Sequence, residues 1–126
     1  MTENNIHNQL INTLISIDET YVKIAKLSGV PENLYWLLLC LNDKEFHTQK
    51  EINNSWGLPK TTVNTLVKKL ESQGYVTLSP IEERKRELQI ALTSAGQSYA
   101  NQVLAMLPEI ESEIIRRIQE ELPSSL

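Results

Sequence analysis

The chain has 126 residues, 40% of them hydrophobic and 22% charged, which predicts one soluble globular domain with a single core. Its net charge of −4 excludes indiscriminate binding to nucleic acid or anionic membranes. No apolar run approaches the roughly 20 residues that cross a bilayer. The chain begins without a signal-peptide pattern and has one cysteine, Cys40, so we expect a cytosolic protein without an internal disulfide.

The charge is unevenly distributed along the chain. Residues 58–86 carry six basic and three acidic side chains, a local charge of +3 that leaves −7 for the remainder. A basic segment on an acidic body is compatible with a protein that contacts DNA through one patch.

The first two predicted elements are helices. In the first, apolar residues recur at spacings of three and four, at Leu10, Leu14, Ile17, Tyr21 and Ile24. Gly29 and Pro31 interrupt the chain after it. The second, from about Glu32 to Asn42, is apolar almost all round, so it should form the buried centre of the fold.

A third, short helix and a fourth helix should follow, joined by a tight turn. Thr48 followed by Glu51 is the capping-box pattern, and Gly57 suits the end of this third helix. Pro59 suits the opening of the fourth helix. Its apolar side is formed by Val63, Leu66, Val67 and Leu70. Its opposite side carries Lys60, Asn64 and Lys68, with Thr61 and Thr65 beside them.

The segment after Gly74 predicts a hairpin. Residues 75–78 form one expected strand, and the alternation of Leu88, Ile90 and Leu92 predicts the other. The eight residues 79–86 should join them as a basic tip that carries Arg84, Lys85 and Arg86.

Residues 94–122 are again predicted to be helical. Their apolar residues fall on one side, at Val103, Leu107, Ile110, Ile114 and Ile118, and Pro108 predicts a kink or two successive helices. The expected fold is mainly α with a small β-hairpin wing. A winged helix-turn-helix core at 32–93 would be flanked by dimerisation helices at 1–28 and 94–122.

The polar side of the fourth helix has the chemistry of a DNA reader. In a helix-turn-helix the second helix enters the major groove, where Lys pairs with guanine, Asn with adenine, and a Thr methyl contacts thymine. Lys68 is placed for a phosphate, and Arg84 and Arg86 could reach the minor groove. The alternative is a solvated helix face and a charged loop, or a winged helix that binds protein.

Residues 46–96 resemble the DNA-binding core of the MarR family of bacterial transcription regulators. The matching segments, in order and spacing, are "TQKEI", "WGLPKTTVNTLVKKLESQGYV" and "RKRELQIALTSAG". The resemblance implies a homodimer on a pseudo-palindromic operator, often a repressor released by a small aromatic or other hydrophobic ligand, or by oxidation. It implies no enzymatic activity and no cofactor.

The resemblance also assigns site residues. The recognition-helix contacts fall on Lys60, Thr61, Thr62, Asn64 and Thr65. Thr48 and Gln49 would support backbone contacts, and Arg86 would be the wing arginine. Pro59 stands where many members have serine, and Arg84 stands where the wing often has an aspartate, whose place Glu82 or Glu83 would have to take.

Other reactive or aromatic residues carry weaker expectations. Cys40 lies in the most apolar segment, so we expect a buried structural thiol rather than a redox sensor. Tyr35 and Trp36 either line a ligand pocket or belong to the core. His7 and His47 are far apart, so no metal site is expected, and no nucleophile–base arrangement or phosphate loop indicates catalysis.

Overall fold

The computed structural model describes residues 3–43, 45–81 and 84–121, with the backbone alone described at 3–4, 56 and 84–86. These ranges form six helices and a three-stranded antiparallel sheet. The elements are α1 (Glu3–Leu27), α2 (Glu32–Leu41), β1 (His47–Thr48), α3 (Gln49–Trp56), α4 (Lys60–Ser72), β2 (Val76–Ile81), β3 (Arg84–Leu92), α5 (Ser94–Val103) and α6 (Leu107–Glu121). The predicted mainly helical winged helix is confirmed.

Helix α2 lies at the centre of the core, as its composition predicts. Leu37 and Leu38 are fully buried, and the Cys40 thiol is buried beside them. Ile52 of α3 and Ile90 of β3 belong to the same core cluster, so the helix-turn-helix and the sheet close around one apolar helix. Burial of such side chains contributes about 1.5–3 kcal/mol each to folding.

Helix α3 begins and ends at the predicted signals. The Glu51 N–H donates to Thr48 Oγ1 at 3.1 Å, and the Thr48 N–H donates to the Glu51 carboxylate at 3.5 Å. This reciprocal pair satisfies backbone donors at the helix start. Gly57 ends the helix with a φ of 67°, a left-handed conformation that favours glycine.

Helix α4 begins directly after Pro59, which needs no helical N–H. Val63, Val67 and Leu70 are buried against the core, and the Lys60, Asn64 and Lys68 side is exposed. The spacing of these apolar residues therefore determines which side of α4 meets the core and which meets solvent.

The sheet differs from the sequence expectation in two ways. The predicted eight-residue connection at 79–86 is wrong, because β2 continues to Ile81 and β3 begins at Arg84. Only residues 82–83, which lie outside the described residues, come between the two strands in the sequence. Ser79 and Pro80 resemble a turn signal. However, Pro80 belongs to β2 and lies opposite Leu88 of β3. In the strand order β1–β3–β2, β2 is an outer strand, where proline is tolerated.

Strand β1 was not predicted. Its two residues pair with β3, His47 opposite Ile90 and Thr48 opposite Gln89. A two-residue strand is too short to show an alternating pattern, so its pairing partner has to be known before it can be recognised.

The C-terminal segment forms two helices, as Pro108 predicts, with the break at 104–106. Pro108 lies in the first turn of α6, where a missing N–H leaves no helical bond unmade. Leu107 and Ile114 are buried within the chain, as is Ile24 of α1. Helices α1 and α6 therefore pack on each other within the chain, and their predicted role as dimerisation helices stays a prediction. Within the described part of the chain, no helix is long and apolar enough to cross a membrane.

Candidate nucleic-acid interface

The outer side of α4 presents the predicted polar residues together. Lys60, Thr61, Asn64, Thr65 and Lys68 are all exposed, and Thr62 is half-buried. Residues four apart lie on one side of a helix, so Lys60, Asn64 and Lys68 form a row along it. The Thr65 hydroxyl donates to the Thr61 carbonyl at 2.9 Å, which leaves its methyl group and an oxygen lone pair for an outside partner.

A polar cleft adjoins this row. It has a volume of about 800 Å³ and lies between α3, the start of α4 and β3. The residues that line it are Thr48, Gln49, Lys50, Asn53, Asn54, Lys60, Thr61, Asn64, Glu87 and Leu88. The cleft brings Lys60, Thr61 and Asn64, three of the predicted α4 residues, into one concave surface with Gln49 of α3.

Sequence reasoning missed five residues of this cleft: Glu87 and Leu88 of β3, and Lys50, Asn53 and Asn54 of α3. The three on α3, together with Gln49, recur at spacings of three and four, so one side of that helix is polar. This spacing is visible in the sequence and could have predicted the polar side of α3. The Asn53 Oδ1 atom is buried and accepts no hydrogen bond from the described residues, so the amide borders the cleft with spare capacity.

Thr48 lines the cleft and also caps α3. It is only 6% exposed, and its hydroxyl oxygen accepts the Glu51 N–H, so the support of backbone contacts predicted for it would act through α3. The hydroxyl is committed to the start of α3, and it places Gln49 and Lys50 at the mouth of the cleft. Thr48 therefore supports the surface from beneath.

The wing residues have only part of their structure described. Arg84, Lys85 and Arg86 lie at the start of β3, next to Glu87 at the cleft, but their side chains lie outside the described part of the structure. Glu82 and Glu83, the expected supports of the wing, lie outside the described residues altogether. Minor-groove contact by the wing therefore stays a prediction.

An acidic pair flanks the start of α3. His47 Nε2 lies 2.7 Å from Asp43 Oδ1, and this hydrogen bond holds the pKa of the Asp43 carboxyl below its ordinary value. Glu51 lies 4.0 Å from His47 Nδ1. Among the described residues, no group of three or more His, Cys, Asp and Glu side chains is arranged to hold a metal ion.

Of the two alternatives for Tyr35 and Trp36, the structure shows packing between helices. Tyr35 has 0% exposure and belongs to the core, and its hydroxyl has no hydrogen-bond partner among the described residues. Trp36 packs 5.4 Å from the Tyr21 ring and donates to Glu32 at 3.3 Å. The aromatic rings are thus used to pack α2 against α1. A groove of about 380 Å³ does occur between α1 and α6, and neither Tyr35 nor Trp36 is among the described residues that line it.

Comparison with known sequences finds similarity to the MarR family. The sequence model of the MarR family matches residues 29–87, which contain α2, the helix-turn-helix and the start of β3. The HTH-type transcriptional regulator SarZ of Staphylococcus epidermidis is 32% identical over 85 residues. The match covers 68% of this chain and 57% of SarZ, so the chain spans little more than half the length of that relative.

Comparison of structures agrees with this result. NMB1585, a MarR family regulator from Neisseria meningitidis, is 25% identical with a TM-score of 0.68, covering 92% of this chain and 80% of that one. Overoxidized AbfR bound to DNA has a TM-score of 0.56 at 23% identity, covering 94% and 96% of the two chains. AbfR is a protein of Staphylococcus epidermidis. In the matched segment and in the fold, the chain is similar to regulators of the MarR family.

Proposed function

We propose that the chain is a sequence-specific regulator of transcription that binds double-stranded DNA as a homodimer, with α4 in the major groove. The observation that carries this proposal is the exposed row on α4, which continues into the polar cleft beside α3. A major groove about 12 Å wide admits one helix, and both surfaces would then face the duplex. The relatives named above are regulators, and AbfR was solved on DNA.

Within this surface the residues divide into two roles. Lys60, Thr61 and Asn64 lie in the first two turns of α4, the part of a recognition helix that reaches base edges. Lys68 lies one turn further on, where a charge meets phosphate and sets position without reading sequence. Gln49 and Lys50, at the start of α3, would contact the backbone on the other side of the groove.

The homodimer is supported by apolar side chains that this chain does not cover. In α1, Leu10, Ile11, Leu14 and Ile15 are exposed, and Leu14 reaches 64%. Leu10 and Leu14 lie seven and three residues before Ile17, which lines the α1–α6 groove, so they extend the same apolar side of α1. We assign the groove and this side of α1 to the partner chain, which would use the identical surface in return.

A two-fold dimer fits the operator that the family resemblance implies. The two recognition helices would lie about one DNA turn apart, roughly 34–36 Å, and would read inverted half-sites. We propose repression as the outcome, through occupation of a promoter-proximal operator. A small hydrophobic effector would release it only if it bound more tightly to a dimer whose helix spacing no longer matches DNA.

The competing proposal is a winged helix whose polar face binds a protein. Selection of genomic DNA fragments by the purified chain, followed by binding at increasing salt, separates the two. We expect an enriched inverted repeat whose affinity falls steeply with salt, because phosphate contacts release counterions. Failure to enrich any sequence at low salt, with a tight protein partner instead, would contradict the DNA-binding proposal.

A further inference from the structure

The end of α4 and the start of α5 are joined by a compact set of contacts that the DNA-facing surface does not use. We call Gly74, Tyr75, Thr93 and Gly96 the α4–α5 joint. Helix α4 ends with Gly74 at a φ of 80°, where the Gly74 N–H donates to Glu71 and the Tyr75 N–H donates to Leu70. This pair of bonds is the Schellman arrangement, so the joint begins from a fixed helix end.

Thr93 connects this helix end to α5 through three hydrogen bonds. Its N–H donates to the Tyr75 carbonyl at 3.0 Å, and its hydroxyl donates to the Gly74 carbonyl at 2.6 Å. The same hydroxyl oxygen accepts the Gly96 N–H at 3.0 Å, which caps the start of α5. The Thr93 side chain thus joins Gly74, directly after α4, to the first turn of α5.

Gly96 allows the two backbones to approach each other. A Cβ atom at this position would overlap the Tyr75 carbonyl oxygen and would lie 2.7 Å from the carbonyl carbon. The obstacle is backbone, which cannot rotate away as a side chain can. Any side chain at Gly96 would therefore move α5 relative to the end of α4.

Two further contacts hold α5 to the winged helix. The Tyr75 and Tyr99 rings stack with centroids 4.4 Å apart and planes within 6° of parallel. The Gln97 amide donates to Asn42 at the end of α2 at 2.6 Å. Residues 104–106 separate α5 from α6. Helix α6 packs on α1, where the Tyr21 hydroxyl donates a hydrogen bond to the Glu111 carboxylate at 2.7 Å. Helix α5 is thus attached to the DNA-facing unit, and α6 to α1.

We propose that Thr93 and Gly96 are positioning residues for DNA recognition, which fix the direction of α4 relative to α5 and so the placement of each recognition helix in the dimer. This inference rests on the proposed function. Helix α4 is about 20 Å long, so a tilt of about 10° at its end would move its opposite end by roughly 3 Å. Recognition geometry has to be held to within about 0.5 Å.

Four variants separate positioning from stability. Thr93→Val keeps the shape of the side chain and removes the hydroxyl, and Thr93→Ser keeps the hydroxyl. Gly96→Ala introduces the clashing Cβ. Ser94→Ala changes an exposed neighbour in the same turn and serves as the matched control. Should Gly96→Ala fail to fold, Thr93→Val still tests the proposal.

The first measurement needs no DNA. Spin labels at Lys60→Cys and Ser98→Cys, both exposed, report the distance between the start of α4 and α5 in a Cys40→Ala background. The labelled protein is diluted with unlabelled chains, so only distances within a chain are observed. We expect a shifted or broadened distance distribution for Thr93→Val and Gly96→Ala, and the parent distribution for Thr93→Ser and Ser94→Ala. Unchanged distributions in both disrupting variants would overturn the proposal.

The second measurement uses the duplex that the parent protein selects and the same duplex with one half-site scrambled. The affinity ratio of the two should fall by about fivefold or more in Thr93→Val and remain at the parent value in Thr93→Ser. A loss of folded protein lowers both affinities alike, so an unchanged ratio refutes positioning. If the parent selects no duplex, the proposed function fails and the label distances alone decide on the joint.

Discussion

Asn64 carries the most specific chemistry on α4. Its exposed amide has a donor and an acceptor side by side, which matches N6 and N7 of adenine, and the exposed Thr61 presents a methyl group one turn earlier. We predict that Asn64→Ala and Thr61→Ala each reduce discrimination between the selected operator and random DNA by about 1–3 kcal/mol. The measurement is the ratio of the two dissociation constants.

Ser72→Ala is the control for this prediction. Ser72 is exposed at the last turn of α4, and its hydroxyl donates to the Lys69 carbonyl of its own helix. We expect it to leave the ratio unchanged. If Asn64→Ala also leaves the ratio unchanged, the side of α4 that faces the bases has been assigned wrongly.

Lys68 should contribute through charge alone. We predict that Lys68→Ala weakens operator and random DNA about equally and lowers the salt slope of binding by roughly one, because one phosphate contact is lost. Lys26→Ala removes an exposed charge from the last turn of α1 and should leave the slope unchanged. Equal slopes for all three proteins would show that Lys68 does not contact phosphate.

Single residues show what the sequence could and could not predict at this scale. The capping role of Thr48 was readable, because a capping box is a local pattern. Its burial was not, because that depends on β1 pairing with β3, some forty residues away. The cleft residue Asn53 likewise acquires its role from a neighbouring helix and strand.

Helix α3 should depend measurably on its cap. Thr48→Ala removes the acceptor of the Glu51 N–H and should lower the free energy of unfolding by about 1 kcal/mol. In a domain of this size, thermal unfolding should shift by roughly 4 °C. Thr48→Ser retains the hydroxyl and should restore most of the loss. Equal destabilisation by both substitutions would instead point to the threonine methyl group.

The contact between α1 and α6 predicts a dependence of stability on alkaline pH. Burial of the phenol, and then its hydrogen bond to the Glu111 carboxylate, raise the pKa of Tyr21 from 10.0 to about 12. The unfolded chain releases this proton near pH 10, so the stabilisation is complete below that pH and is lost between about 10 and 12.

Tyr21→Phe tests this dependence. The variant lacks the ionisable hydroxyl, so its free energy of unfolding should decline less between about pH 10 and 12 than that of the parent. Chemical denaturation of both proteins across this range provides the measurement. Parallel declines would show that Tyr21 does not link the two helices in this way.

Elements with local signals were predicted, and those that depend on a distant partner were not. The sequence located α2, α3 and α4 within a residue or two, because periodicity and caps act within a single helix. The predicted β2 ended too early, because Pro80 is tolerated in a strand that is paired on one side only, and that position in the sheet was not known from the sequence. The sequence predicted the two helices around Pro108 but not the burial of Leu107 and Ile114 within the chain.

At the scale of the whole molecule, the exposed side of α1 predicts the oligomeric state. We expect light scattering at micromolar concentration to give a dimer, with an interface of more than about 2,000 Å². Leu14→Glu would place a charge on the 64% exposed leucine of that interface and should shift the mass toward the monomer.

Phe46→Glu is the matched control for the dimer. Phe46 is also a large exposed apolar residue, at 67%, but it precedes β1 and is remote in sequence from α1. We expect the dimer to persist in this variant. A parent protein that is monomeric at micromolar concentration would contradict the two-fold arrangement and, with it, the reading of paired half-sites.

The position of Pro80 on the outer strand has a consequence for solubility. An outer strand offers free N–H and C=O groups to any other extended chain, and so invites edge-to-edge aggregation. Proline supplies no N–H, and the irregular register between Pro80 and Ile81 bends the same edge. The outer strand of one molecule is therefore a poor template for the same strand of another, which protects the sheet from edge-to-edge pairing in a crowded cell.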